Sequence, residues 1–167
     1  MRIKSLGFAV IFIAMSFCAL SITNAQQSTK LQNISNDKNI LEIKQVWENA
    51  LTYFANRDID SIMGTISPKY SRSIDGTAID YAGFRKIAEV NDTEFFSNHL
   101  SCSVNNIEIL KSSIAGDKAV VEFGYQFYAF DKQSMQWVTY NMIQKVTFAK
   151  ENSHWKIISN GDKKMLR

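Results

Sequence analysis

The sequence predicts a single α+β domain in which helices come first and a one-sided antiparallel sheet follows. Between residues 39 and about 98, apolar residues recur every three or four positions, which is the spacing of a helix face. From about residue 101 they recur at every second position, and clusters of turn-forming residues separate the runs. This order indicates helices packed against one face of a curved sheet.

The first helix is predicted from Asn39 to about Asn56. Asn39 is of a type that caps helix N-termini, and Glu42 stands three positions later, where it completes a capping box. The apolar residues that follow share one helix face and are Ile43, Val46, Trp47, Ala50 and Phe54.

Two further helices are predicted before the sheet. Asp58 caps the second, which ends at Ser67–Pro68 because a residue before proline is pushed out of the α region. A loop that contains an Asp-Gly pair follows. Asp80 caps the third helix, for which two ends are consistent with the pattern: Asn91 or, after a break, Asn98.

Four strands are predicted to form the sheet, and the first of them contains a slip or bulge. Turn residues separate them at Ala115–Asp117, Asp131–Ser134 and Glu151–Ser153. Because side chains alternate between the two faces of a strand, the apolar positions define an inner face. The residues on it are Val104, Ile107, Ile109, Val121, Phe123, Tyr125, Phe127, Val138, Tyr140, Met142, Gln144, Val146, Phe148, Trp155 and Ile157.

The first 25 residues have the composition of a secretory signal peptide. Arg2 and Lys4 precede an apolar run, and small residues lead to Ala25, after which cleavage is predicted. The alternative is an uncleaved membrane anchor. Residues 26–38 are polar and aperiodic and are predicted to be a flexible tether to a domain at 39–164. The mature protein is expected in the periplasm or outside the cell.

Charge and residue types argue against several functions. The signal carries two of the 19 basic residues and none of the 16 acidic ones, so the mature net charge is +1. This value gives no electrostatic basis for binding nucleic acid or an anionic membrane. Only Cys102 survives cleavage, so no intrachain disulfide is expected and a buried thiol is predicted. No residues have metal-ligand spacing, and neither a metal nor a cofactor is predicted.

Several segments resemble the nuclear transport factor 2-like superfamily and, within it, SnoaL-like and related exported domains. They are the start of the long helix, the turn after it, the end of the second helix, a hairpin with its strand, and the last strand. In this sequence they are Trp47–Leu51, Asn56–Ile62, Ser67–Tyr70, Ala115–Val121 and His154–Ile157.

The resemblance implies a cone-shaped α+β barrel, in which a strongly curved antiparallel sheet surrounds the long helix and leaves an apolar pocket at its open end. Such relatives include dehydratases, isomerases, polyketide cyclases and non-catalytic accessory domains, so the fold alone does not fix a function. Enzymes of this kind commonly use an Asp or a His-Asp pair, whose pKa a pocket tunes by burial.

The predicted inner face carries no acid and no histidine. By alternation, Glu122, His154 and Lys156 face outward, and His99 is expected as a half-exposed surface residue. No catalytic residue is therefore assigned. Gln144 is the one polar residue that interrupts the inner face of the third strand, and it is a candidate to bind a ligand.

The sequence favours an exported, non-catalytic binding or accessory domain. Its pocket would hold a small hydrophobic or amphipathic ligand or contact an envelope protein, and a homodimer through the sheet is expected. The alternative is a small cofactor-free enzyme of the dehydratase, isomerase or polyketide-cyclase type, with an Asp or His supplied by a loop. The predicted ligand-binding residues are Tyr53, Tyr81, Phe84, Tyr125, Phe127, Tyr140, Gln144 and Trp155.

Overall fold

The fold was determined as a computed structural model, which describes residues 38–166 apart from the side chains of Asp162 and Lys163. The chain divides into two units at Leu41, and every element below belongs to the second unit except for the first residues of helix α1. The predicted signal peptide and the predicted tether up to residue 37 lie outside the described residues.

Three helices precede the main sheet: α1 spans Lys38–Ala55, α2 spans Ile59–Thr65 and α3 spans Tyr81–Asn98. The α3 helix runs without a break to Asn98, which is the later of its two predicted ends. Within residues 38–166, no helix is long and apolar enough to cross a membrane.

Two of the three predicted helix caps are confirmed. The Asp58 side chain accepts a hydrogen bond from the Ser61 amide at 2.9 Å, and Asp80 accepts one from the Gly83 amide at 2.8 Å. The prediction that Asn39 caps α1 is wrong, because Asn39 lies within the helix. A capping residue needs a non-helical backbone, and Asn39 does not have one.

The segment predicted as a loop after α2 is a β-hairpin, in which β1 (Ser71–Ile74) pairs antiparallel with β2 (Thr77–Asp80). Asp75 and Gly76 connect the strands with φ angles of 49° and 80°. Positive φ at both central residues is the mark of a turn whose twist matches that of the flanking strands. The hairpin thus follows from its Asp-Gly pair, despite two strands of only four residues each.

The main sheet is a four-stranded antiparallel meander. Its strands are β3 (His99–Ala115), β4 (Lys118–Asp131), β5 (Gln136–Glu151) and β6 (His154–Leu166), in that order across the sheet. The slip predicted in the first of them is confirmed, since the β3–β4 register shifts between Asn105 and Glu108.

The predicted inner face of the sheet forms the core with helix α1. Phe123 and Phe148 have no exposed surface, and the Trp47 ring stacks on Phe123 with 5.5 Å between ring centroids. Glu122, between two buried neighbours, faces the other way and lies 3.7 Å from the Lys111 ammonium. The predicted alternation of inward-facing and outward-facing side chains is therefore the one that the sheet shows.

Candidate ligand-binding cavity

A cavity of about 670 Å³ lies in residues 42–166, between the inner face of the sheet, the helices and the hairpin. This volume falls within the range of about 300–1,000 Å³ that small-molecule sites occupy. Most of its wall is apolar. Its lining residues include Trp47, Phe54, Tyr70, Arg72, Ile74, Ile79, Phe84, Ala88, Glu94, Phe95, His99, Tyr125, Phe127, Tyr140, Gln144 and Asn160.

Five of the eight residues predicted to bind a ligand line this cavity. Phe84 projects from α3, and the other four lie on the inner face of β4 and β5: Tyr125, Phe127, Tyr140 and Gln144. These four share one face because side chains two positions apart along a strand point the same way, and residues paired across neighbouring strands lie on the same face.

The other three predicted residues do not belong to the cavity wall. Tyr53 is half-buried on α1. Tyr81 donates a hydrogen bond from its hydroxyl to the Met63 carbonyl at 3.4 Å, which ties α3 to α2. Trp155 is buried in the core, with the Lys150 ammonium 5.6 Å from its ring centroid. An aromatic side chain on the inner face of a strand or on a core helix is therefore not sufficient to predict that the residue lines the cavity.

A buried hydrogen bond joins two polar residues on the inner face of the sheet. The Tyr125 hydroxyl donates to Oε1 of Gln144 at 3.1 Å, and Gln144 is only 1% exposed. The Gln144 amide nitrogen donates to the Gly161 carbonyl at 3.4 Å, which is long for a hydrogen bond. Burial raises the pKa of Tyr125 well above its ordinary value, so the hydroxyl stays neutral at physiological pH.

A second polar group in the wall was not predicted from the sequence. The Tyr70 hydroxyl donates to Oδ1 of Asn160, and the Tyr70 ring packs on Phe84 with 4.7 Å between centroids. Burial raises the pKa of Tyr70, although the positive charge of Arg72 acts in the opposite direction. Arg72 and Ile74 are the half-buried residues of β1, but a strand of four residues with one apolar side chain is too weak a pattern to indicate this face from the sequence.

The predicted partial exposure of His99 is confirmed, but its position in the cavity wall was not predicted. His99 is half-buried at the start of β3 and lines the cavity. Its ring stacks on Phe95 with 4.2 Å between centroids, and its Nδ1 atom lies 2.9 Å from the Phe95 carbonyl oxygen. The sequence does not indicate this contact with the cavity, because alternation along a strand does not fix the direction of a side chain at a helix-to-strand junction.

Carboxylates are scarce in the wall. Among the described lining residues only Glu94 carries one, and Glu94 is exposed at the end of α3. Asp80 is occupied as a helix cap, and His154 is exposed, as predicted. Residues 38–166 contain no group of three or more His, Cys, Asp or Glu side chains that could hold a metal ion. The wall is therefore mainly apolar and carries a few polar side chains.

Asp92 is buried on α3 and does not belong to the cavity wall. Its Oδ2 atom accepts hydrogen bonds from Nε and Nη2 of Arg57 at 3.2 and 2.8 Å. Cys102 is also buried, as predicted, and burial together with the Asp92 charge raises the pKa of its thiol to about 11. The thiol is protonated at neutral pH and is a poor nucleophile.

No protein-family model matches the sequence, and no curated protein matches it either. The fold is nevertheless similar to solved structures. One is a protein of unknown function from Mycobacterium tuberculosis, 13% identical, with a TM-score of 0.59 over 77% of each chain.

Two further structures carry more informative names. A nuclear transport factor 2-like superfamily protein from Salmonella enterica is 16% identical, with a TM-score of 0.57 over 76% of this chain and 90% of that one. A hexachlorocyclohexane dehydrochlorinase from Novosphingobium barchaimii is 10% identical, with a TM-score of 0.57 over 76% of this chain and 86% of that one. The order of the helices, the curved antiparallel sheet and these similarities together show that the chain has the nuclear transport factor 2-like fold.

Proposed function

We propose that the chain is an exported binding protein whose cavity holds a small, mainly apolar molecule. The observation that carries this proposal is the cavity of about 670 Å³, whose wall is aromatic and aliphatic apart from a few polar side chains. When an apolar ligand displaces water from such a wall, the free energy of the system falls. Export rests on the predicted signal peptide, with cleavage after Ala25.

The scarcity of carboxylates in the cavity wall supports binding over catalysis, since among the described lining residues only the exposed Glu94 carries one. Two of the polar residues in the wall, Tyr125 and Gln144, already bond to each other. A neutral tyrosine and a neutral amide orient a ligand but do not abstract a proton from it.

Filling the cavity is expected to weaken the binding of an apolar probe. Ala88 on α3 lines the cavity, so Ala88→Trp places a large ring in the space that a ligand would use. The affinity of N-phenylnaphthylamine, an uncharged fluorescent probe, is expected to fall about tenfold or more, measured by titration.

Ala82→Trp is the matched control, because Ala82 is exposed on the same helix and is not part of the wall. It is expected to bind the probe as the unmodified protein does. Equal affinity in the Ala88→Trp variant would contradict binding in this cavity. Native mass spectrometry of protein recovered from its own host would then identify the natural occupant by its mass.

An enzyme of the dehydratase, isomerase or cyclase type is the second candidate, and the position of His99 favours it. Its imidazole lines the cavity with Nδ1 directed at a backbone carbonyl, an arrangement in which the other nitrogen can accept a proton. The similarity to a dehydrochlorinase is consistent with this reading. The molecule found by mass spectrometry would be incubated with the protein and with the His99→Gln variant. If the protein converts the molecule and the variant binds it without converting it, the enzyme function is supported.

We also propose that two copies pair through the outer face of the sheet. Phe130 and Trp137 are cross-strand neighbours on that face with ring centroids 5.4 Å apart. Met135 lies two positions before Trp137, and Leu100 precedes Ser101, which pairs with Phe130 on the neighbouring strand. Leu100, Met135 and Trp137 are each more than half exposed, which is unusual for large apolar side chains in one region. A second copy would cover them.

Trp137→Glu is therefore expected to convert a dimer to a monomer, measured by sedimentation velocity. A charge in a desolvated interface has no partner and opposes association. Lys145→Glu is the control, since Lys145 is exposed on the same face away from the aromatic pair. A monomer before any substitution would refute pairing.

A further inference from the structure

We infer that the ligand carries an aromatic ring, and that this ring lies against five aromatic side chains at one end of the cavity. The inference rests on the proposed function and names the class of ligand for the same cavity. The five side chains, called the aromatic end below, are those of Phe54, Phe95, His99, Phe127 and Tyr140.

The aromatic end is a connected cluster of rings with Phe127 at its centre. The Phe127 centroid lies 5.5 Å from that of Phe95, 6.2 Å from that of Phe54 and 6.5 Å from that of Tyr140. The His99 ring joins the cluster through its stack on Phe95. Because all five residues line the cavity, they form one continuous aromatic part of its wall.

The protein itself does not fully cover these rings. Each of the five is half-buried, whereas the core rings of Phe123 and Phe148 have no exposed surface. The aromatic end packs on a small apolar cluster whose buried members are Phe96, Cys102 and Ala129. Since the free energy falls when an apolar group covers such rings, this end of the cavity suits the apolar part of a ligand.

The opposite end of the cavity is more polar, so the two ends are distinct. Tyr70 packs on Phe84 near the start of α3, and the hydroxyl of Tyr70 is hydrogen-bonded to Asn160. The charged Arg72 belongs to the same wall and acts on the Tyr70 hydroxyl. Phe95 lies eleven residues beyond Phe84 on α3, which is a rise of about 16 Å along the helix axis.

The angles between the rings favour an aromatic group over a saturated one. The Phe127 ring is inclined by 75° to Phe95 and by 44° to Phe54, so the wall combines ring edges with ring faces. Ring faces carry partial negative charge and ring edges partial positive charge, and a ligand ring can pair with either. A saturated ring lacks this charge pattern. Each aromatic pair adds about two- to tenfold in affinity beyond the effect of burial.

A cation is the other kind of group that aromatic rings attract. A cation that enters the cavity loses its hydration, and a buried carboxylate would have to compensate for that loss. Among the described lining residues only Glu94 carries a carboxylate, and Glu94 is exposed, so water screens its charge. A neutral aromatic ring avoids this cost.

Three alcohols test the inference: phenylhexanol, cyclohexylhexanol and hydroxyhexyl-trimethylammonium. Each has one hexyl chain with a hydroxyl at one end, and the other end carries an aromatic ring, a saturated ring or a cation. Burial alone favours the cyclohexyl group, because its apolar surface is the larger. Isothermal titration calorimetry is nevertheless expected to give phenylhexanol an affinity about threefold or more above that of cyclohexylhexanol.

Phe127→Leu is expected to abolish this preference for the phenyl group. Leucine keeps the site apolar but removes the ring that contacts three others at the aromatic end. Phe84→Leu is the matched control, because it makes the same chemical change in the wall of the same cavity at the more polar end. It should leave the preference for phenylhexanol unchanged.

Nuclear magnetic resonance locates the ring in the unmodified protein, so the test does not depend on how a variant folds. Intermolecular nuclear Overhauser effects are expected between the phenyl protons of phenylhexanol and the ring protons of Phe127 and Phe54. Such effects to Phe84 alone would place the ring at the more polar end and overturn the inference.

The outcomes of the titrations separate the two proposals. Equal or tighter binding of cyclohexylhexanol overturns the inference and leaves the apolar cavity standing. Tightest binding of hydroxyhexyl-trimethylammonium overturns it in favour of a cation site. A phenyl preference that survives Phe127→Leu but is lost in Phe84→Leu also overturns it. If neither ring-bearing alcohol binds, the inference and the proposed function fail together.

Discussion

Phe123→Ala is expected to lower the free energy of unfolding by about 3–5 kcal/mol, as measured by urea denaturation. Phe123 has no exposed surface and lies between the rings of Trp47 and Phe148, with 5.5 and 6.2 Å between centroids. Truncation removes contacts on both sides and leaves a hole that a sheet and a packed helix cannot close. The effect is large because one residue joins the helix to two strands.

Phe130→Ala is the control for Phe123→Ala. The chemical change is identical and the residue lies on the same strand, but Phe130 faces outward and is only half-buried. Its loss should cost about 1 kcal/mol. Equal losses for the two variants would contradict the inner and outer faces assigned to β4.

Arg57→Met is expected to destabilise the fold by about 2–3 kcal/mol, since it leaves the Asp92 carboxylate without its partner. The side chain of Asp92 is 9% exposed, and both described hydrogen bonds to its Oδ2 atom come from Arg57. The Oδ1 atom of Asp92 has no hydrogen-bond partner among residues 38–166. The Arg57 guanidinium also lies 4.7 Å from the centroid of the Phe96 ring, a contact that methionine would weaken.

Arg85→Met is the control for Arg57→Met, because it removes the same positive charge from an exposed ion pair instead of a partly buried one. Arg85 forms comparably short ion pairs with Asp60 and Glu89, but all three side chains are exposed, so little change in stability is expected. Adding Asp92→Asn to Arg57→Met should recover part of the loss, because no unpaired charge then remains. If Arg57→Met and Arg85→Met are equally mild, the Asp92 carboxylate finds sufficient water and the pair is not structurally important.

The sequence predicts the sheet well because each of its strands has one dry face. Phe123, Tyr125 and Gln144 fall on the inner face by alternation alone, and the Asn106 backbone, with φ of 53°, marks the bulge that the spacing of apolar residues required. Burial of one face leaves the register little freedom, since a slip of one residue would expose every core side chain.

Parts of the cavity could not be predicted for the opposite reason. Arg72 and Ile74 lie on a hairpin with no buried residue, so its short strands leave little hydrophobic pattern. Asn160 reaches Tyr70 across 90 positions of sequence. A contact over that separation depends on the curvature of the sheet, which no local pattern records.

The hairpin of β1 and β2 has a consequence for how such a protein diverges. It contributes Arg72, Ile74 and Ile79 to the cavity wall, yet none of its eight strand residues is buried. Substitutions of Arg72 or Ile74 change the cavity wall without changing a buried core residue, whereas Ile79 also packs against the core. The shape of the cavity can therefore drift between descendants of one ancestor at little cost in foldability, and β1 is the segment to randomise in a library that seeks new ligands.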